Sequence, residues 1–273
     1  MVVEILAVGT ELLLGNIANT NAQYLSRRCA ALGFSVYRHT VVGDNEERMT
    51  EAILTALGRS DIVILTGGLG PTEDDMTKEV CAKVMGFSLE EDARTRKRIS
   101  GYFRSIKRKN ITGNNWKQAV IPVGAKVLDN DNGTAPGLIL EKNGKTAILL
   151  PGPPGELIPL FSQKAEPYLR TLQPDTIYSK MVKVCGIGES RAETMILDLI
   201  DAQTNPTIAT YAKTGEVHLR VTARAADEAE GKRLVKPVVK ELKKRFGICV
   251  YSTKEDEALE QVVLKLLKKR ALT

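Results

Sequence analysis

A chain of 273 residues, 43% hydrophobic and 26% charged, is long enough for one large domain or two of ordinary size, with a globular core under an ordinary charged surface. Its net charge of +6 favours anionic partners such as nucleotides or nucleic acid, although a solvated surface alone accounts for it. Four scattered cysteines (Cys29, Cys81, Cys185, Cys249) without a CxxC pair exclude a clustered zinc site, and no apolar run reaches membrane-spanning length. The start lacks the basic segment of a signal peptide, so a reducing, cytoplasmic location is expected.

In chain order, "VVEILAVG" reads as a buried strand and "NTNAQYLSRRCAALG" as a helix closed by Gly33. "FSVYRHTVVG" is a second strand. "DNEERMTEAILTALG" reads as a helix with Asp44 at the N-cap, Glu47 three residues on and Gly58 past the end. "DIVILT" is a third strand and "TEDDMTKEVCAKVMG" a third helix. Helices alternating with continuously apolar strands predict a parallel sheet covered on both faces. After a basic helical stretch at 90–109, "GLILEKNGKTAILL" reads as a hairpin turning at Asn143-Gly144. A helix from about Glu156 to Arg170 closes the unit at residue 170, and "TLQPDT" (171–176) reads as a linker.

Beyond it come strand "YSKMVKVCG", helix "ESRAETMILDLI", strand "PTIATYAK", a turn at Thr214-Gly215, strand "EVHLRVTARA", a helix over about 226–246 and strand "GICVYS". That βαββαβ order predicts a small split-βαβ or KH-like α+β domain over 171–252. A final helix, "DEALEQVVLKLLKKRALT", fills most of 253–273.

Ligands of an open parallel sheet bind at the carboxyl ends of its strands. Here those ends carry Gly9-Thr10-Glu11, Gly43-Asp44, "TGGLGPTEDDMTKEV" (66–80) and "PGPPGE" (151–156). Gly67, Gly68 and Gly70 with Pro71 form a turn whose backbone suits a phosphate, yet Glu73, Asp74 and Asp75 follow at once. Asp44 with Glu47, and Thr72 with Asp75, each also fit a capping box, but three consecutive acids exceed what a cap needs. Carboxylates and a polyphosphate share a pocket when a divalent cation lies between them, because magnesium-like ions take few carboxylates plus phosphate oxygens. Two histidines, His39 and His218, offer no His-rich alternative. No GxxxxGK[ST] or GxSxG occurs, and "GIGES" (186–190) has Arg191 where a dinucleotide fingerprint needs its third glycine. The basic residues Arg94, Arg96, Lys97, Arg98, Arg104, Lys107, Arg108 and Lys109 form either a solvated helix face or an attractor for a diphosphate.

Together "VGTELLLGNIANTNAQYLS", "VGDN", "TGGLGPTEDDMT", "NWKQAVIP", "NGTAPG", "LPGPPGE", "GIGES" and "NPTIATYAKTGEVHLRVTA" resemble the competence/damage-inducible protein CinA family, over essentially the whole chain. The resemblance implies an α/β three-layer sandwich with a mostly parallel sheet, the molybdopterin-binding (MoaB/MogA-like) fold, for residues 1–170, followed by the KH-like domain. It implies metal-dependent ADP-ribose pyrophosphatase activity, giving AMP and ribose 5-phosphate, with a divalent ion (Mg, Mn or Co) and potassium. A homodimer acting on a soluble nucleotide is the expected assembly. Full-length members add a nicotinamide-nucleotide amidohydrolase beginning about where this sequence ends. Its Ser-containing motif is absent here, so this chain is not expected to deamidate nicotinamide mononucleotide.

By matching motif, Asp44 and Asp75 correspond to acids that handle metal and phosphate in molybdopterin-binding relatives, with Asp74 sharing the metal. Gly67, Gly68, Gly70 and Thr72 would cradle phosphate, with Thr10, Glu11, Asn115, Lys117, Gln118 and Gly152 as further substrate contacts. Glu156 stands where some molybdopterin enzymes have Ser or Asn. Asp75, Asp44 and Glu156 are thus the expected catalytic acids, with Glu156 orienting or deprotonating water. Two alternatives stay open: binding of, or adenylyl transfer to, a pterin-type cofactor, and a non-catalytic dimerising or RNA-binding role. RNA is the weaker, because 171–252 lacks both a GxxG clamp and interleaved aromatics.

Overall fold

The computed structural model describes residues 1–107, 111–173 and 175–271. The chain divides into two compact units, Met1–Gln173 and Pro174–Thr273.

In the first unit the three apolar stretches become β1 (Val2–Val8), β2 (Ser35–Val42) and β3 (Ile62–Thr66). A small separate pair, β4 (Leu89–Glu91) and β5 (Val120–Pro122), precedes β6 (Lys126–Leu128), β7 (Gly137–Lys142) and β8 (Lys145–Leu150). The main sheet has the order β2-β1-β3-β8-β7-β6. Its first four strands are mutually parallel, β7 runs antiparallel to them, and β6, antiparallel to β7, returns to their direction. The β7–β8 hairpin turns where expected, with Asn143 (φ 52°) and Gly144 (φ 73°) both left-handed, as a type I′ turn requires.

The helices are α1 (Thr10–Leu13), α2 (Thr20–Ala31), α3 (Glu46–Arg59), α4 (Thr77–Met85), α5 (Ala93–Ser105), α6 (Pro154–Leu160) and α7 (Glu166–Leu172), the last two joined by a π-helical turn at Phe161–Ala165. Strand alternation splits the core into two layers. Ile5, Ile64 and Ile148 meet Leu25 and Cys29 of α2 and Phe161. Leu6, Leu65 and Leu149 meet Met49 and Ile53 of α3 and Cys81 of α4. Each such side chain, removed from water, contributes roughly 1.5–3 kcal/mol before entropy is counted. The result is the three-layer, mostly parallel α/β sandwich.

Several boundaries differ from the sequence reading. Asn45, not Asp44, caps α3, its Oδ1 accepting from the Arg48 N–H at 3.1 Å. Gly58 lies inside α3, which ends at Arg59. The third helix starts at Thr77, leaving Glu73, Asp74 and Asp75 in a loop rather than a first helical turn. The basic stretch splits into β4 and α5, with Asp92 capping the helix; Arg108 and Lys109 lie outside the described residues. The Asn45 cap gives a direct test. Asn45→Ala should destabilise the protein by about 1 kcal/mol in urea unfolding, whereas Asp44→Ala should leave the α3 cap intact. An unchanged unfolding midpoint in Asn45→Ala would remove the cap from Asn45.

The second unit runs β9 (Thr176–Cys185), α8 (Glu189–Thr194), α9 (Leu197–Asp201), β10 (Thr207–Lys213), β11 (Glu216–Ala225), α10 (Glu228–Phe246), β12 (Val250–Ser252) and α11 (Leu259–Lys269). Its antiparallel sheet, ordered β10-β11-β9-β12, packs Val182, Leu219 and Val221 against Leu242 and Phe246 of α10. The single helix expected over 189–200 is broken at Met195-Ile196, and the last helix starts at Leu259 rather than Asp256. Of the expected linker, Thr171 and Leu172 still belong to α7 and Pro174 lies outside the described residues, as do Leu272 and Thr273 of the last helix. No helix among the described residues is long and apolar enough to cross a membrane.

Candidate functional site

Because β1, β2, β3 and β8 are parallel, their carboxyl ends share one edge of the sheet, and antiparallel β7 begins there. With β1 between β2 and β3, the connections diverge at this edge, which is the switch point where such sheets bind ligands. Gly67 holds the edge together. Its N–H donates to the Leu150 carbonyl (3.0 Å), its φ is +98°, and a Cβ built on it would stand 2.2 Å from the Val8 carbonyl oxygen. Only glycine lets the ends of β1, β3 and β8 approach this closely.

A cavity of about 410 Å³ opens at this edge. Five carboxylates line it: Glu11 after β1, Asp44 after β2, Asp74 and Asp75 after β3, and Glu156 after β8. Gly67, Gly68, Gly70, Gln118, Thr134 and Gly152 complete much of the wall, and no Lys, Arg or His lines it among the described residues. Three of the acids rest against glycines. A Cβ would lie 2.4 Å from Glu11 Oε1 at Gly9, 2.3 Å from Asp75 Oδ2 at Gly70, and 2.0 Å from Glu156 Oε2 at Gly133. A methyl at any of them would push a carboxylate aside.

Local hydrogen bonds fix the acids. Asp44 Oδ2 accepts from the Thr10 N–H (2.9 Å) and hydroxyl (2.8 Å). Asp75 Oδ2 accepts from the Thr72 N–H (3.0 Å) and the Thr72 hydroxyl. That hydroxyl also holds the Asp74 carboxyl below the ordinary range, helped by backbone N–H groups and the Lys117 charge. Glu156 goes the other way: burial raises its pKa, opposed by a 2.6 Å hydrogen bond from Asn130 Nδ2. The two carboxyls are thus shifted in opposite directions, Asp74 down by hydrogen bonds and Glu156 up by burial.

Not every expected contact reaches the cavity. Thr10 and Thr72 orient acids from behind and do not line it. Lys117 Nζ donates to the Thr72 carbonyl (2.8 Å) and the buried Lys78 Nζ to the Lys117 carbonyl (2.6 Å), so these lysines brace the acidic loop. The Asn115 amide turns to Thr112 (2.6 Å). Gly67 spends its N–H on Leu150 and so has none to offer the expected phosphate. Gln118 donates to the Leu69 carbonyl (3.1 Å), while its buried Oε1 has no partner. Asn130, Gly133 and Thr134 went unassigned in the sequence; the polar, turn-forming run "DNDNGT" was the available signal.

Among the described residues no three His, Cys, Asp or Glu side chains converge to hold an ion, so Asp44, Asp74 and Asp75 line one cavity without forming a cage. The donor set still fits a hard cation, one taking a carboxylate or two from the protein and its remaining oxygens from the substrate.

The family model for a probable molybdopterin binding domain matches residues 4–171, and that for the damage-inducible protein CinA KH domain matches residues 179–252. A CinA-like protein of Dictyoglomus turgidum is 54% identical over 270 residues, covering 99% of this chain and 65% of that protein. Its counterpart in Dictyoglomus thermophilum is 53% identical over 270 residues, with 99% and 65% covered. This chain thus spans just under two thirds of the length of these relatives. The crystal structure of the protein CinA with unknown function from Thermoplasma acidophilum is 36% identical, with a TM-score of 0.55 over 61% of this chain and 96% of that one. With both domain families in this order and relatives of that identity across its length, the chain belongs to the CinA family, a molybdopterin-binding-like unit followed by a CinA KH domain.

Proposed function

We propose that this cavity hydrolyses the pyrophosphate bond of ADP-ribose, or a related nucleoside-diphosphate sugar, to AMP and ribose 5-phosphate, in a cytoplasmic homodimer that needs a divalent ion (Mg, Mn or Co) and potassium. The observation that carries the reading is a glycine-walled cavity with five carboxylates and no basic side chain among the described residues. A diphosphate would be repelled from such a wall unless a cation were shared between them. Asp75 and Asp44, each with one oxygen fixed by a threonine, would hold that ion. When bound, it neutralises charge on the phosphoryl oxygens and makes water more acidic.

Glu156 supplies the base. Its raised pKa brings it closer to the working pH than an exposed glutamate. The attacking water gives a proton to Glu156 as its oxygen bonds to phosphorus. The bridging P–O bond then breaks, and the bridging oxygen leaves on the second phosphate. Backbone N–H groups from Gly68 onward stabilise the phosphate they face.

Product analysis tests this. The purified chain is incubated with ADP-ribose and magnesium, manganese or cobalt separately, with a chelator control and Asp75→Asn alongside. AMP and ribose 5-phosphate should appear with metal only, and Asp75→Asn should lower turnover by about two orders of magnitude or more. Folded protein that yields no AMP with any metal would remove the hydrolase reading. The match of residues 4–171 to a probable molybdopterin binding domain favours a second reading, binding of or adenylyl transfer to a pterin-type cofactor. Calorimetric binding of such a cofactor without ADP-ribose hydrolysis would select it.

A further inference from the structure

The basic helix α5 does not line the cavity, yet one of its faces leads to it. Arg94, Arg98 and Tyr102 recur every four residues and so share a stripe. All three grip residues 129–132. Arg94 Nη2 pairs with Asp129, and Arg98 lies 3.6 Å from Asp129 and 3.4 Å from Asp131. The Tyr102 hydroxyl donates to the Asn132 carbonyl at 3.1 Å. Inside this loop Asn130 is fully buried. Its Nδ2 donates to the Ala135 carbonyl (2.9 Å) and Glu156 Oε2 (2.6 Å), and its Oδ1 accepts from the Asn132 N–H (3.0 Å). Two acceptors at the nitrogen and a donor at the oxygen fix the amide's orientation. Gly133 gives the carboxylate room, and Glu156 Oε1 accepts no hydrogen bond from the described residues.

We infer that Asn130, braced by the Arg94–Arg98–Tyr102 face of α5, is a positioning residue that pins one oxygen of Glu156 and leaves the other presented to the cavity. The kinetic consequence rests on the hydrolase reading; the pinning does not. Without the Asn130 donor a desolvated carboxylate loses both its fixed direction and the contact favouring its ionised form. The other charges around it are Glu11, Asp44, Asp74 and Asp75 on the cavity wall, and Asp129, Asp131, Arg94 and Arg98 behind the loop. None replaces the amide as a hydrogen-bond donor to Glu156 among the described residues.

The test compares the full chain with Asn130→Ala, Arg98→Ala and Glu156→Gln, each checked for folding by circular dichroism. The side-chain carboxyl of Glu156 is titrated by NMR in protein carrying ¹³C-labelled glutamate, with Glu156→Gln assigning its signal. Asn130→Ala should move that titration upward by about one pH unit. It should lower kcat about ten- to hundredfold with KM nearly unchanged, and shift the acid limb of the pH profile the same way. Arg98→Ala should move the titration in the same direction by less, and Asn130→Ala should add nothing to Glu156→Gln. An unmoved titration in folded Asn130→Ala, or in Arg98→Ala should the first not fold, overturns the inference. If the parent protein hydrolyses nothing, the proposed function falls, and the titration still decides this point.

Discussion

Glu156→Gln is expected to cut turnover by about two to four orders of magnitude while making the protein more resistant to heat. The first effect follows from removing the proposed proton acceptor. The second follows from linkage. Burial raises the Glu156 pKa above its unfolded value of 4.5, so between the two values the folded protein binds more protons than the unfolded chain. Stability attributable to this group is therefore present below the unfolded pKa and lost as pH rises through the folded one. At neutral pH the native protein carries the full cost of an ionised, half-buried carboxylate. A glutamine carries no charge, and its carbonyl can still accept from Asn130. Thermal melts should show the variant more stable at pH 7, with the difference fading below about pH 4, where the native side chain is protonated in both states. A stability difference independent of pH would mean that desolvation of Glu156 is not its cause.

Gly67→Ala should have the largest effect on stability. Alanine resists a φ of +98°, and its Cβ would meet the Val8 carbonyl, a backbone atom with no rotamer to escape into. Overpacking and strain together predict a loss of about 3 kcal/mol or more. For a unit of this size that lowers the melting temperature by roughly 6–12 °C. Gly155→Ala is the control, because nothing lies within 4 Å of the point its methyl would occupy. Calorimetry on the pair checks both values, and equal melting temperatures would mean that β1 and β3 separate at little cost.

What the sequence revealed and what it hid divide along a physical line. Strands β1, β3 and β8 were legible because they are buried on both faces and so read as unbroken apolar runs. The β7–β8 turn was legible because Asn143-Gly144 is local chemistry. The cap at Asp44 was misplaced because Thr10, 34 residues away in sequence, takes its carboxylate, leaving Asn45 to cap. The third helix was started too early because Thr72 and Asp75 form the same side-chain-to-backbone bond in a loop that they would in a capping box. Of the site, the acids were visible as residue types gathered at strand ends. Asn130 was not, since its partner Glu156 lies 26 residues on and nothing local marks the contact.

The pairing of β3 with β8 has a consequence for how the protein comes into being. The β7–β8 hairpin closes through two residues, but β3 ends at Thr66 and β8 begins only at Lys145, so their union closes a long loop. Such non-local pairings come after the local ones, once their closure entropy is offset. The acidic loop hangs from β3 and Glu156 from β8, so the two halves of the cavity stay apart until those strands zip together. A nascent chain that has emerged through β3 and α4 already displays its glycine-rich loop and its aspartates, yet has no Glu156 to set against them. The cavity stays incomplete until the last strand of the sheet, and Glu156 just after it, leaves the ribosome.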